Sequence, residues 1–418
     1  MLSIIGEYKK IDKSMLHVII VAFFVQLINV SFISILPLYM KAEKYSDASY
    51  AHYTSYRYMG MLALAIFMAI YIKGRRILPL FYIAAFGVPL FALLILISVQ
   101  YHITSLIVVS HLLWGTAYTF IQIPVLPYIM RNANKEQLTL TISLNYATWS
   151  IANIFSGFII ALLNSINPTV FSERNILYLI TIACFSTLYF ITKIDKNEFI
   201  PTQKEKSVNL KEYDWKIIIK ALVPTTMLAI GAGFTIPFMS LFFSSVHNMS
   251  TATFSLMNFV TATFVTLSAI YVPTIKEKYG YSKAVPLTQL MAIIAMLVMA
   301  TTQYYSFLFI SVIIAAVFYL IRQPLMSMAV PMTTEITMKY VGERNREMVS
   351  GLISAVWSGA YYFSAIGFGI LRHMNVDYVN IFWITAAMYF IGVLLYVLLI
   401  KEYNQNEKIK EYGSKTYL

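Results

Sequence analysis

The residues with the clearest capacity for chemistry lie within long apolar runs. His111, Trp114, Tyr118 and Gln122 follow one another at intervals of three and four, the spacing that gathers side chains on one face of a helix. Histidine carries the side chain whose ordinary titration lies nearest physiological pH. Two readings of His111 stay open: a cavity wall with a group able to couple protons, or a buried histidine hydrogen-bonded across helices. Gln26 and Asn29 place two amides at mid-depth in the first apolar run, where buried amides need partners. Arg322 sits inside a later run beside Gln323 and Pro324. It could hold an anionic group of a solute, or snorkel and brace a gate. Trp357 and Tyr361, with Ser358, Gly359 and Ser364 around them, suit a cavity wall as well as ordinary packing. Arg57 reads as a surface anchor near the edge of its run, with a binding role at the mouth as the alternative.

This chemistry is recognition rather than bond making. No paired carboxylates or histidine cluster fall within the apolar runs, and none of the 19 acidic residues lies in the middle of one; Glu335 comes nearest. Buried carboxylates are the usual proton carriers of pumps and transporters, so a mechanism built on a midplane Asp or Glu is not expected. Cys184 stands alone, which leaves no disulfide framework, thiol pair or soft-metal cluster. No GxxxxGK[ST] run occurs, so an ATP-driven pump is not expected either. The expectation is a non-enzymatic protein with no catalytic residue, no cofactor and no metal.

The elements that must position these residues follow from composition. Of 418 residues, 59% are hydrophobic and 12% charged, with a mean hydropathy of +0.69. A soluble chain carries about 25% charged residues, so this one lacks the polar exterior that water demands. Long apolar runs with charged ends predict twelve membrane-spanning helices. Six cover about 16–39, 54–73, 77–98, 104–129, 139–163 and 175–193. Six more cover about 217–243, 251–273, 284–301, 304–328, 348–371 and 378–400. The short Thr302-Gln303 junction divides the ninth from the tenth. The fold class is therefore an all-α polytopic membrane protein. The apolar stretch after residue 15 lacks a small-residue cleavage site and reads as a retained first span.

The longest polar stretch between spans, 194–216, divides them six and six. This gives an N-terminal six-helix bundle over 1–193, a linker over 194–216, a C-terminal bundle over 217–400 and a polar, frayed tail over 401–418. The formal charge of +12 belongs to topology, not to nucleic acid. With the N-terminus inside, 25 of the 31 Lys and Arg residues fall in inner segments and 5 in outer ones. Such a bias in short loops predicts both termini in the cytoplasm of a multi-pass cell-membrane protein, the inner membrane in a bacterium.

The halves echo each other weakly. Tyr71-Ile72-Lys73-Gly74-Arg75-Arg76 follows the second span, and Glu277-Lys278-Tyr279-Gly280-Tyr281-Ser282-Lys283 follows the eighth. In both, a glycine closes a tight turn among basic residues. Gln122-Ile123-Pro124 ends the fourth span and Arg322-Gln323-Pro324 the tenth. This is the pattern of a transporter built from two parallel repeats.

On these residues the chain resembles the major facilitator superfamily along essentially its whole length. That family's signature between spans two and three is G-x-x-x-D-R-x-G-R-R/K. Gly74, Arg75 and Arg76 match its end, while Phe67 replaces the first glycine and Tyr71-Ile72 the Asp-Arg pair. Glu277, Lys278 and Gly280 form the second copy. The resemblance implies an inner gate at these six positions, although the loss of the acid at Tyr71 alters the usual contact. A fourth-span R-x-x-x-G motif appears as His111-Leu112-Leu113-Trp114-Gly115. Of the antiporter motif G-P-x-x-G-G only Gly157 survives unchanged, so the subfamily is not identified.

The function expected is secondary transport of a small organic solute across the cell membrane by alternating access, with family precedent leaning to export. The substrate path is expected to include Gln26, Asn29, His111, Trp114, Tyr118, Gln122, Arg322, Trp357 and Tyr361. In that fold the first, fourth, seventh and tenth spans surround the path. Partners are the solute, the lipid bilayer and, through His111, protons; the protein is expected to act as a monomer without nucleic acid. Two other classes compete on the same scaffold. A lipid flippase or scramblase would show an apolar path open sideways beneath a headgroup site. A non-transporting receptor would show a stable partner surface and no alternating cavity.

Overall fold

A computed structural model describes residues 11–72, 74–134, 137–200 and 213–415. Among them the chain is helical between short turns. The helices in order are α1 (Lys13–Ala42), α2 (Asp47–Tyr71), α3 (Leu78–Gln100) and α4 (Thr104–Asn132), followed by α5 (Leu138–Ile166) and α6 (Glu173–Ile191). Then come α7 (Trp215–His247), α8 (251–279), α9 (281–301), α10 (309–341), α11 (343–373) and α12 (Tyr378–Lys415). Ten helical stretches among the described residues are long and apolar enough to cross a membrane. One of these, Thr251–Tyr305, holds two rods, and α2 is a further helix whose polar first half DASYAHYTSYRY keeps it out of that set. Twelve helices result among the described residues, in the number expected.

Local chemistry sets their ends. Asp12, Ser46 and Asp214 each accept a backbone N–H at the start of α1, α2 and α7 with their side-chain oxygens. Glu198 does the same for α3 from a distance, its carboxylate accepting from the amides of Ile77 and Leu78. Gly280 (φ +61°) and Gly342 (φ +72°) separate α8 from α9 and α10 from α11 in one residue each, in a left-handed conformation that only glycine adopts cheaply. Pro124 interrupts α4, which ends one segment at Gln122 and resumes at Val125. Between α9 and α10 lies a 3-10 turn, Thr302–Tyr305, at the junction expected there.

Two places differ from the sequence expectation. α2 begins at Asp47, seven residues before the expected start, because a serine cap and a polar first turn do not register as apolar. The tail from Lys401 continues α12 as helix to Lys415. Of the expected linker 194–216, residues 201–212 lie outside the described residues, as do the first ten residues and the basic positions Lys73 and Lys135.

The chain divides into two compact units. The first holds Met1–Ser207 with Pro237–Ala262 and Ala365–His373, and the second holds the rest. Inside the first unit, α4 packs along both α2 and α3, while α1 packs along α5 and α6. The later segments that belong to this unit join it at α1 and at the starts of α2 and α6. Lys41 Nζ donates to Ser244 and Ser245 at 3.1 and 2.8 Å, and Arg372 pairs with Asp47 at 3.1 Å. Asn258 Nδ2 donates to Ser34 at 3.1 Å, and Thr251 donates to the Glu173 carboxylate. Inside the second unit, Trp215–Thr235 of α7 packs along α12. Gly231 there leaves room for the ring of Tyr389, and Gly392 for Leu228.

Candidate functional site

In the first unit α1, α2 and α4 bring six polar or aromatic side chains together. The crossing of α2 and α4 is made close by two glycines: a Cβ at Gly60 would lie 2.2 Å from the carbonyl oxygen of Leu112, and one at Gly115 1.9 Å from that of Arg57. Small residues that let backbones touch are the usual adhesive between helices in lipid. The contact sets Arg57 against Trp114, with the guanidinium 3.9 Å from the ring centroid, a geometry that stabilises by roughly 2 kcal/mol where water is excluded. Arg57 Nη2 also donates to Asn29 Oδ1. Asn29 Nδ2 donates in turn to Gln26 Oε1 at 3.2 Å and to the Tyr118 hydroxyl at 3.3 Å, and that hydroxyl donates to Gln26 Oε1 at 3.0 Å. Phe32 stacks on Trp114 with ring centroids 5.4 Å apart. Every member is buried except Gln26, which is half-buried.

His111 belongs to the same neighbourhood. It is wholly buried, its Nδ1 lies 2.9 Å from the Ile107 carbonyl oxygen one turn back, and Nε2 has no hydrogen-bond partner among the described residues. Gln122, the fourth residue of the expected face, is exposed and stands apart from the cluster. Arg57 is 5% exposed, so it is an interior residue rather than a surface anchor. The difference follows from the start of α2: with Ser46 as cap, position 57 is three turns inside the helix, not at its edge. The run Ser46-Asp47-Ala48-Ser49 is a helix-start signal that places it correctly.

The second unit contains a cavity of about 150 Å³. Its walls come from α7, α9, α10, α11 and α12, and Arg322 is the only charged side chain among the described residues that line it. Arg322 is 1% exposed, so it does not snorkel. Its Nη1 donates to Gln323 Oε1 at 3.1 Å and its Nη2 to the Tyr389 hydroxyl at 3.3 Å. The Tyr389 ring in turn rests on Gly231. Gln323 Nε2 donates to the Tyr319 hydroxyl at 3.2 Å, and Thr225 shares a 2.8 Å hydrogen bond with Tyr396. Gln289, 1% exposed, offers an Oε1 with no partner among the described residues. Trp357 lines the cavity. Tyr361 is half-buried and lies against Gly233 of α7 through its Cα. Gln289 and Tyr389 carry no signal in the sequence: each is an ordinary packing residue until α9 and α12 converge on Arg322.

The six expected gate positions lie at helix ends. Gly74 adopts φ +64°, Arg75 stacks on Tyr71 at 4.5 Å, and Arg76 donates to the Lys196 carbonyl at 2.7 Å. Arg131 supports the same turn by donating to the carbonyls of Ile72 and Arg75. In the second copy Gly280 turns the chain, Lys278 stands over the Tyr279 ring at 5.4 Å, and Glu277 is exposed. The ionic contact at that end uses neighbouring residues: Glu335 of α10 receives Lys276 of α8 at 2.7 Å and Lys339 at 3.0 Å. Among the described residues no three His, Cys, Asp or Glu side chains gather as a metal would require.

Comparison with known proteins agrees with this architecture. The sequence pattern of the Major Facilitator Superfamily matches residues 18–365. No curated protein sequence is matched. Among solved structures, the chain resembles the nucleoside transporter NupG at 14% identity and a TM-score of 0.71, covering 93% of this chain and 99% of that one. A bacterial homologue of the iron transporter ferroportin, in its inward-facing state, is similar at 11% identity and 0.71, over 92% and 98%. A D-xylose-proton symporter is similar at 13% and 0.68, over 93% and 95%. At such identities the likeness is one of fold. With the family pattern spanning most of its length and twelve helices in order, this multi-pass membrane protein belongs to the Major Facilitator Superfamily.

Proposed function

We propose that the protein is a secondary transporter that moves a small organic solute across the cell membrane by alternating access, both termini facing the cytoplasm. The observation that carries this reading is the cavity around Arg322, whose largely apolar wall carries a few converging polar groups. A receptor has no need of buried hydroxyls, amides and a guanidinium converging on one cavity. Pockets that bind small molecules combine apolar walls with a few placed polar groups, which describes this one. Family precedent favours export.

The test is uptake and efflux in sealed proteoliposomes with a solute panel, with and without an imposed pH gradient. Saturable flux of at least one solute, lost in empty liposomes, supports the reading, and its absence for the whole panel in both directions defeats it. Proton coupling through His111 is a second reading. It rests on the buried Nε2 that has no partner among the described residues, a lone pair free to take a proton. Flux insensitive to the pH gradient, before and after His111→Gln, would remove it.

A further inference from the structure

We infer that the cavity of the second unit selects a compact organic carboxylate, with Arg322 as the residue that takes the charge. This rests on the transport reading above and adds the substrate class to it. A buried guanidinium in a membrane is costly, and intramembrane charges are normally paired or face a cavity. Arg322 faces one, and no acidic side chain among the described residues lines it. Two of its N–H groups are given to neutral oxygens, those of Gln323 and Tyr389. A guanidinium has five such donors in a planar fork, so enough remain to grip a carboxylate by two parallel bonds. Gln289 stands in the same wall with an amide oxygen that has no partner among the described residues.

The first unit's arginine offers no such opening. Arg57 is stacked on Trp114 and bonded to Asn29 in a cluster closed by Tyr118 and Gln26. The charge count separates carboxylate from phosphate. Among the described residues one cation lines the cavity, which balances one negative charge, whereas a phosphate monoester brings about −1.5 to −2 at neutral pH and would leave a buried excess. Size narrows the class further. A cavity of about 150 Å³ is comparable to an engineered one that holds a benzene ring. Trp357, Leu228 and Ile353 in the wall suit a body of that size and low polarity.

The experiment uses the full chain in nanodiscs and in proteoliposomes, with four ring-sized probes: benzoate, its neutral isostere benzamide, phenyl phosphate and benzylamine. Binding is read by quenching of tryptophan fluorescence, with Trp357→Phe identifying the signal from the cavity, and transport by counterflow. Benzoate is expected to bind at least tenfold tighter than benzamide, phenyl phosphate or benzylamine. Arg322→Gln should erase that preference, and Arg322→Lys should retain part of it. The benzoate–benzamide comparison on unaltered protein needs no variant, so misfolding of an arginine variant does not blunt the test. Equal binding of benzoate and benzamide, no carboxylate binding at 10 mM, or a preference for phenyl phosphate would each overturn the inference. Saturable counterflow of benzamide or benzylamine with no response to benzoate would leave transport standing and remove only the substrate class. Absence of flux for the whole solute panel in both directions would remove transport itself.

Discussion

Gly115→Ala drives a methyl group into backbone at the crossing of α2 and α4 and should be strongly destabilising. A Cβ at position 115 would lie 1.9 Å from the Arg57 carbonyl oxygen and 2.8 Å from its carbon, against 3.4 Å or more in ordinary contact. The obstacle is main chain, so no side chain can rotate away. The gap is about 1.5 Å too small, and α2 and α4 must separate by an amount of that order, losing dispersion contacts along the crossing. Overpacking of this kind costs about 1–3 kcal/mol, and backbone contact on both sides puts this case near the upper value. At roughly 2–4 °C per kcal/mol for a large domain, the melting temperature in nanodiscs should fall by about 6–12 °C. The same shift withdraws Trp114 from the Arg57 guanidinium, so tryptophan emission should change in the folded protein. Gly369→Ala is the control. Its nearest neighbour would be 3.4 Å from the new Cβ, and alanine gains up to about 1 kcal/mol over glycine in a helix, so its melting temperature should hold or rise. The reasoning fails if Gly115→Ala melts within about 2 °C of the unaltered protein, or if Gly369→Ala falls as far.

Polar contacts elsewhere give three further expected outcomes. The Asp47–Arg372 pair has side chains 12% and 20% exposed. Asp47→Asn or Arg372→Gln should each destabilise the first unit by about 1–2 kcal/mol, between exposed and buried pairs. A double-mutant cycle read by thermal melting should show coupling, and fully additive losses would deny the pair. Glu335→Gln, which breaks the contacts to Lys276 and Lys339, should cost no more than about 1 kcal/mol because all three side chains are at least a third exposed. Its effect should vanish in 1 M salt; a loss that persists there would contradict a screened ion pair. Tyr389→Phe removes an acceptor from Arg322 Nη2 and should cost about 1–3 kcal/mol in melting, and carboxylate binding should move with it. A variant indistinguishable in both would show that the hydroxyl does not hold the guanidinium.

The sequence is most legible where a single helix decides the matter. Apolar length places α1, α3 and α12, and the φ-positive turn at Gly280 is announced by a glycine among lysines. Gly342 makes an equivalent turn between Val341 and the charged run Glu343-Arg344-Asn345-Arg346. The apolar criterion cuts α2 short, since its first turns are polar, and so shifts Arg57 from the interior to the surface. The site is legible in part for the same reason. Arg322 stands out as a lone charge in an apolar run, and the spacing of His111, Trp114 and Tyr118 marks a face. Their partners leave no such trace: Asn29 meets Arg57 from another helix, and Gln289 reaches the cavity from α9. Contacts between distant segments impose no period on the chain.

The composition of the first unit bears on how the protein is made. It contains Pro237–Ala262 and Ala365–His373, so Lys41, Ser34 and Asp47 wait for partners that are synthesised long after them. Ser244, Asn258 and Arg372 emerge from the ribosome in that order, and the last is residue 372 of 418. Helices α1 to α6 can enter the bilayer as they are made. Lys41 and Ser34 of α1 wait for α7 and α8, and Asp47 of α2 waits for Arg372 of α11. Domains generally fold as units during synthesis, but here the earliest part of the chain is finished by one of the latest. A fragment ending at residue 207 should therefore insert and pack its own helices, yet lack Ser244, Ser245 and Arg372, which Lys41 and Asp47 contact in the full chain.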